Sequence, residues 1–269
     1  MKKARAIGLF DSGLGGLTVA EEVFRQMPGE EVIYFGDTAH VPYGSKTEQE
    51  LIGFAQAIIG FLVAQGAKYI IFACNTSSSV SLSIMRRRYR VPMIGLVEPG
   101  AVAAARVTKN RRIGVIATEA TVRSGAYRRA IQAACPGVRV YCQAAPLLVP
   151  LVEAGKVATP EAEAALRTYL APLQRAGIDT LLLGCTHYPF FTPLINAILG
   201  PEVALVDPAA ATVAAARQDM ERRGILENSP PNPSHRFFVS GDAVEFAALA
   251  KNFLNRELPP VRQVCLLEA

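Results

Sequence analysis

Short apolar runs alternate with longer stretches of helical period along the whole chain. The runs that read as strands are Ala6–Phe10, Val32–Phe35, Tyr69–Ala73, Met93–Val97, Ile113–Ala117, Val138–Cys142, Thr180–Leu183, Val203–Val206 and Arg236–Val239. Most are continuously apolar and bounded by turn residues, the pattern of a strand buried on both faces. Between them, Thr18–Met27, Thr47–Gln65 and Glu161–Arg175 read as helices, each stopping at a nearby glycine or Pro-Gly pair. Asn228–His235 reads as a loop, and Asp242–Asn255 as a capped helix packing back onto the body. Strands alternating with helices predict βαβ units, hence an α/β fold with parallel sheets.

The pattern also repeats. Ile7-Gly8-Leu9-Phe10 is echoed by Ile113-Gly114-Val115-Ile116, Tyr69-Ile-Ile-Phe-Ala-Cys74-Asn-Thr by Thr180-Leu-Leu-Leu-Gly-Cys185-Thr-His, and Leu96-Val-Glu98-Pro by Leu205-Val-Asp207-Pro. Three echoes in one order, at near-equal spacing, predict two similar parallel-sheet α/β domains related by internal pseudo-duplication and meeting around Glu98 and Asp207. Buried strands all resemble one another, but the polar tail of each Cys-bearing strand does not follow from that. Ligands of open α/β sheets bind at the carboxyl ends of strands, so a site is expected in the interdomain cleft with Cys74 on one wall and Cys185 on the other. The expected division is 1–97 plus 208–269 for the first domain and 98–207 for the second, with hinge closure near Val97-Glu98 and Val206-Asp207.

Composition narrows the class. At 269 residues, 51% hydrophobic and 19% charged, the chain has ample material for buried cores, and disorder is excluded. The uncharged run Thr180–Pro201 contains Gly184, His187, Pro189 and Pro193, which argues against a membrane span. Only a four-residue apolar stretch, Ile7–Phe10, leads up to Asp11, whereas a signal peptide needs ~7–15 apolar residues, so a cytoplasmic location is expected. Five cysteines form no disulfide framework. The net charge of +5 permits an anionic partner. The densest cluster, Arg86-Arg87-Arg88-Tyr89-Arg90, reads instead as a solvated last turn of a helix, and no nucleic-acid module accompanies it.

The loop Asp11-Ser-Gly13-Leu-Gly15-Gly16-Leu-Thr18 lacks the third glycine of a dinucleotide fingerprint, and Gly44-Ser45-Lys46-Thr47 lacks the rest of a P-loop. Exposed N–H groups at Gly13, Gly15 and Gly16 suit a carboxylate, although a plain tight turn explains the glycines equally well. With three histidines and no C-x-x-C pair, no metal site is expected. Cys135, Cys142 and Cys265 read as inert buried small residues. Cys185 with His187 two positions on suits a nucleophilic hydrolase or transferase, but that scheme leaves Cys74 idle. Two thiols on opposite sides of one carbon are the apparatus for inverting a stereocentre: one removes the α-proton and the other delivers a proton to the far face. A thiol with a reference pKa of ~8.5 can serve as base in one direction and acid in the other. A small-anion binding module that closes without chemistry is the non-enzymatic alternative.

At Phe10-Asp-Ser-Gly-Leu-Gly-Gly-Leu-Thr-Val19, Tyr34-Phe-Gly-Asp-Thr-Ala-His-Val-Pro-Tyr-Gly44, Phe72-Ala-Cys-Asn-Thr-Ser77 and Leu183-Gly-Cys-Thr-His-Tyr-Pro189 the chain resembles the glutamate racemase family. The resemblance implies a cofactor-independent racemase interconverting L- and D-glutamate for peptidoglycan synthesis, acting as a homodimer on a small molecule, without nucleic acid or membrane. It implies Cys74 and Cys185 as the acid/base pair, Asp11 beside Cys74, and His187 and Glu153 beside Cys185. Substrate contacts are implied at Asp11, Ser12, Tyr43, Gly44, Asn75, Thr76, Thr186 and His187, and more weakly at Thr118 and Thr121. His187 separates the chain from the related aspartate racemases, which tend to carry an acid there. His40, where the family often has Arg, and Ser77, where it often has a small apolar residue, are departures that bear on loop position and local packing.

Overall fold

The computed structural model describes residues 5–227, 233–254 and 257–266. Among the described residues there are ten strands: β1 Ala6–Asp11, β2 Glu31–Gly36, β3 Ala67–Phe72, β4 Met93–Gly95, β5 Arg112–Ala117, β6 Arg139–Ala144, β7 Thr180–Gly184, β8 Ala204–Val206, β9 Arg236–Val239 and β10 Val261–Gln263. They form two separate sheets, a six-stranded one ordered β10-β9-β2-β1-β3-β4 and a four-stranded one ordered β6-β5-β7-β8. Every pairing is parallel. The shared pattern is plain: β2-β1-β3-β4 and β6-β5-β7-β8 are the same order, as the echoed segments predict.

Each sheet is covered on both faces, which is why its strands read as unbroken apolar runs. In β1, Ile7 and Leu9 enter one core with Val19, Val23 and Val213, while Ala6 and Phe10 enter another with Ile58, Ile59 and Leu62. In β7, Leu181 and Leu183 pack with Leu166 and Leu170, and Leu182 packs on the opposite face with Ile113, Val115 and Ile131. The alternation is the period of two of an extended strand.

The predicted helices form as Leu17–Gln26, Glu48–Ala64, Pro160–Arg175 and Ala243–Leu254. Thr47 caps the second in a reciprocal box with Glu50, and Thr159 caps the third through the N–H of Ala162. Of the predicted loop Asn228–His235, residues 228–232 lie outside the described residues, as does Asn255 of the predicted helix Asp242–Asn255.

Four expectations need correction. The strand begun at Met93 stops at Gly95, because Val97–Val107 is a helix whose first turn accommodates Pro99, where an N–H would have no partner. β10 was not predicted; three residues paired only to β9 carry no readable period. Arg86 is not simply solvated: Nε and Nη2 donate to the carbonyl of Met93 at 3.2 and 3.1 Å. Cys135 and Cys142 are only half-buried and Cys265 is exposed, since they stand at the end of a helix, on the outermost strand of the smaller sheet and near the chain end.

The chain passes between the sheets through Val97–Val107 and again through Pro208–Arg222. Asp207 caps the latter, accepting the N–H of Ala209 at 2.9 Å. These helices meet closely, and a Cβ at Gly100 would stand 2.8 Å from Cβ of Pro208. Glu98, expected near the site, is exposed and 3.8 Å from Arg86. Among the described residues no helix is long and apolar enough to cross a membrane.

Candidate active site

In each sheet the chain leaves its first strand to one side and later returns to the other, so the crevice opens beside β1 in one and β5 in the other. Asp11 ends β1 and Cys74 follows β3; the N–H of Ala73 donates to Phe10 at 2.9 Å and keeps these strand ends in register. Thr118 follows β5 and Cys185 follows β7 in the corresponding places. The echoed sequences thus bring two cysteines to equivalent positions of two equivalent sheets.

On the first side, Asp11 is fully buried, and its Oδ2 accepts the N–H of Gly16 at 2.7 Å and of Gly13 at 3.3 Å. Burial pushes its carboxyl up from the ordinary range, against the pull of the His187 charge and the loop N–H groups. Burial also pushes the Cys74 thiol well up, and the Asp11 and Cys185 charges add to this while the N–H of Ser77 opposes it. The upward shift favours the protonated thiol at Cys74.

On the second side, His187 Nε2 lies 2.6 Å from Glu153 Oε1, and its Nδ1 lies 3.8 Å from Cys185 Sγ. Burial alone would lower the pKa of His187, but the hydrogen bonds to Cys185 and Glu153 and their charges raise it well above the usual value. These partners favour the imidazolium, in which both ring nitrogens donate. Glu153→Gln removes one charge holding that proton, so the ring titrates at lower pH. Because the folded pKa is raised, the stabilisation is complete below the unfolded value of about 6.5 and disappears as pH rises through the folded one. In Glu153→Gln that loss begins earlier. NMR titration of the His187 ring, one of three histidines, reads the shift directly, and an unmoved ring would show Glu153 to be electrostatically idle.

The walls come from both halves. Thr186 Oγ1 donates to Asp11 Oδ1 at 3.5 Å. Thr76 and Thr118 share a 2.8 Å hydrogen bond, and Thr118 and Thr121 one of 2.9 Å. Gly44 abuts Thr118 so closely that a Cβ would stand 2.9 Å from its Cβ. Ser12 is buried, and its N–H points at Asp11. Tyr43 donates to Asp37 Oδ2, and Asp37 Oδ1 accepts Ser240 Oγ at 2.7 Å and contacts His40 Nδ1 at 2.8 Å. His40 stacks on Phe54, so the residue that departs from the family pattern braces this loop. Ser77, the other departure, is fully buried beneath Cys74, with an Oγ that has no partner among the described residues. Cys74, Cys185, Asn75, Thr76, Thr186 and His187 are all buried, the setting in which charges and hydrogen bonds act most strongly.

Sequence reasoning overlooked three contributors. Tyr34 donates to the carbonyl of Gly13 at 2.8 Å and fixes the glycine loop from β2. Asp37 accepts the Tyr43 hydroxyl and so organises that residue; its place within the matched second motif was the available signal. Tyr127 donates to Asn75 across the halves, and no motif marks it.

Residues 12–216 match the family described as Asp/Glu/Hydantoin racemase. A glutamate racemase of Desulforudis audaxviator is 61% identical over 267 residues, covering 97% of this chain and 98% of that protein. Among solved structures, a glutamate racemase isoform from Bacillus anthracis superposes with a TM-score of 0.93 at 36% identity, covering 97% and 98% of the two chains. The glutamate racemase of Francisella tularensis in complex with D-glutamate gives 0.90 at 34% identity, covering 97% of each. Sequence and fold together place this chain in the Asp/Glu/hydantoin racemase family, as an isomerase of its glutamate racemase branch.

Proposed function

We propose that the chain interconverts L- and D-glutamate without an added cofactor, by proton transfer at the α-carbon between two thiols. The observation that carries the reading is the equivalence of Cys74 and Cys185, each at the carboxyl end of the third strand of its own sheet. Each has its own polar partner: Asp11 for Cys74, and His187 with Glu153 for Cys185. One thiolate takes the α-proton and becomes a thiol. The opposite thiol gives its proton to the other face and becomes a thiolate. No other bond changes, and the free enzyme must exchange the two protonation states before the next turnover.

With carbanionic charge developing at Cα, stabilisation has to come from fixed donors in a dry pocket. Ser12, Tyr43, Gly44, Asn75, Thr76 and Thr186 are the residues assigned to the ammonium and carboxylates, with Thr118 and Thr121 behind Thr76. The Cys185–His187 contact also fits a cysteine hydrolase, but that reading gives no work to Cys74 or Asp11. Glutamate rather than aspartate is supported by His187 and by the glutamate racemases the chain matches. We assign the product to peptidoglycan synthesis in the cytoplasm, and the working enzyme as a homodimer.

Circular dichroism of purified protein with L-glutamate, and separately with L-aspartate, tests the activity. The glutamate signal is expected to decay to zero and the aspartate signal to persist. In deuterium oxide both enantiomers should acquire deuterium at Cα. A stable glutamate signal would remove the proposed activity.

A further inference from the structure

Tyr127 opens the helix Ala126–Ala134 in the second half, yet its hydroxyl donates to Oδ1 of Asn75 in the first half. Asn75 is the residue after Cys74. The ring edges of the same side chain meet the residue before Cys185 and the first crossing helix: a Cβ at Gly184 would stand 3.3 Å from Cε2 of Tyr127, and one at Gly100 would stand 3.6 Å from Cε1. The ring therefore fills space that two glycines leave open, and it is only 2% exposed. One buried side chain thus touches the neighbours of both thiols.

The amide it holds is polarised. Oδ1 of Asn75 is occupied by the Tyr127 hydroxyl, while Nδ2 is buried with no partner among the described residues. Turning the amide over would let Nδ2 donate to the Tyr127 oxygen but leave the buried Tyr127 proton without its acceptor, so the hydroxyl favours the orientation in which Nδ2 is free. An ionised carboxylate only accepts hydrogen bonds, so it is attracted to the NH₂ end and repelled by the carbonyl end. A buried donor left unpaired is costly unless a ligand satisfies it.

We propose that Tyr127 is a positioning residue that locks the Asn75 amide with its nitrogen presented to a substrate carboxylate. The assignment rests on the amino-acid racemase reading given above. Tyr127 does not touch the reacting carbon; it acts through Asn75.

In Tyr127→Phe the ring stays and the lock is lost. KM for both enantiomers is expected to rise by about five- to tenfold, with kcat within about twofold, since a contact equal in ground and transition states is removed. In an Asn75→Ala background, Tyr127→Phe should add nothing further to KM, because the two residues act as one unit. Asn75→Asp keeps the acceptor for Tyr127 and deletes the donor. It should raise KM at least as much as Asn75→Ala, and it reads the same point if Tyr127→Phe fails to fold. Unchanged KM in Tyr127→Phe or in Asn75→Asp, or additive effects in the double variant, overturns the assignment on an active parent protein. An inert parent instead removes the racemase reading, and this assignment with it.

Discussion

Cys74→Ala and Cys185→Ala are each expected to cripple racemisation, with kcat falling by about 10²–10⁴-fold, the worth of an acid or base placed at the reacting atom. The two losses should be alike in size but unlike in kind. With one thiol gone, the other can still remove and return a proton on its own face. Each variant should then exchange the α-proton of one enantiomer with deuterium oxide and leave the other untouched. Mass spectrometry of the two enantiomers after separation distinguishes the cases. Full activity in Cys74→Ala would end the two-thiol scheme.

Gly15→Ala is the second large effect. None of Gly13, Gly15 and Gly16 has a positive φ, so alanine is conformationally allowed at all three. The obstacle is proximity: a Cβ at Gly15 would stand 2.6 Å from Nδ1 of His187 and 2.6 Å from Oγ1 of Thr186. His187 cannot retreat, because its far nitrogen is held by Glu153 at 2.6 Å. The added methyl therefore holds the halves apart at the point where the Cys185 side closes on the Asp11 loop. A displacement near 1 Å costs about 10²-fold or more in a positioned reaction, and that is the expected loss in kcat/KM. Gly53→Ala is the matched control. It lies in the helix Glu48–Ala64 with open space around it. It should leave activity intact and raise stability by roughly 0.5–1 kcal/mol. Equal activity of the two variants would show that the glycine loop does not approach the second half in the working state.

Much of this was legible in the chain because both sheets are parallel and covered. Runs such as Ile7-Gly-Leu-Phe10 and Leu181-Leu-Leu183 announce buried strands without structural help, and their order with the intervening helices gives the fold class. The cysteines were legible for a different reason: a polar tail on an apolar strand is costly to bury unless something uses it. What stayed hidden depends on contacts between distant residues. Tyr127 lies 52 positions from Asn75, and Ser240 lies 203 from Asp37. An aromatic near the start of a helix, or a serine after a strand, looks the same whether it faces solvent or spans a cleft. Gly15 illustrates the same limit, since no local pattern tells a turn glycine from one that makes room for an imidazole arriving from 172 positions away.

The like order of strands in the two sheets, β2-β1-β3-β4 and β6-β5-β7-β8, has a thermodynamic counterpart. Mirror-image amino acids have equal free energies in achiral water, so the equilibrium constant between them is one. The Haldane relation then requires kcat/KM to be identical in the two directions, whatever the protein does. Asp11 on one flank and the His187–Glu153 pair on the other are chemically unlike, and their difference is free to appear only as a trade between turnover and saturation. One direction runs faster at high substrate, and it binds its substrate more weakly by the same factor.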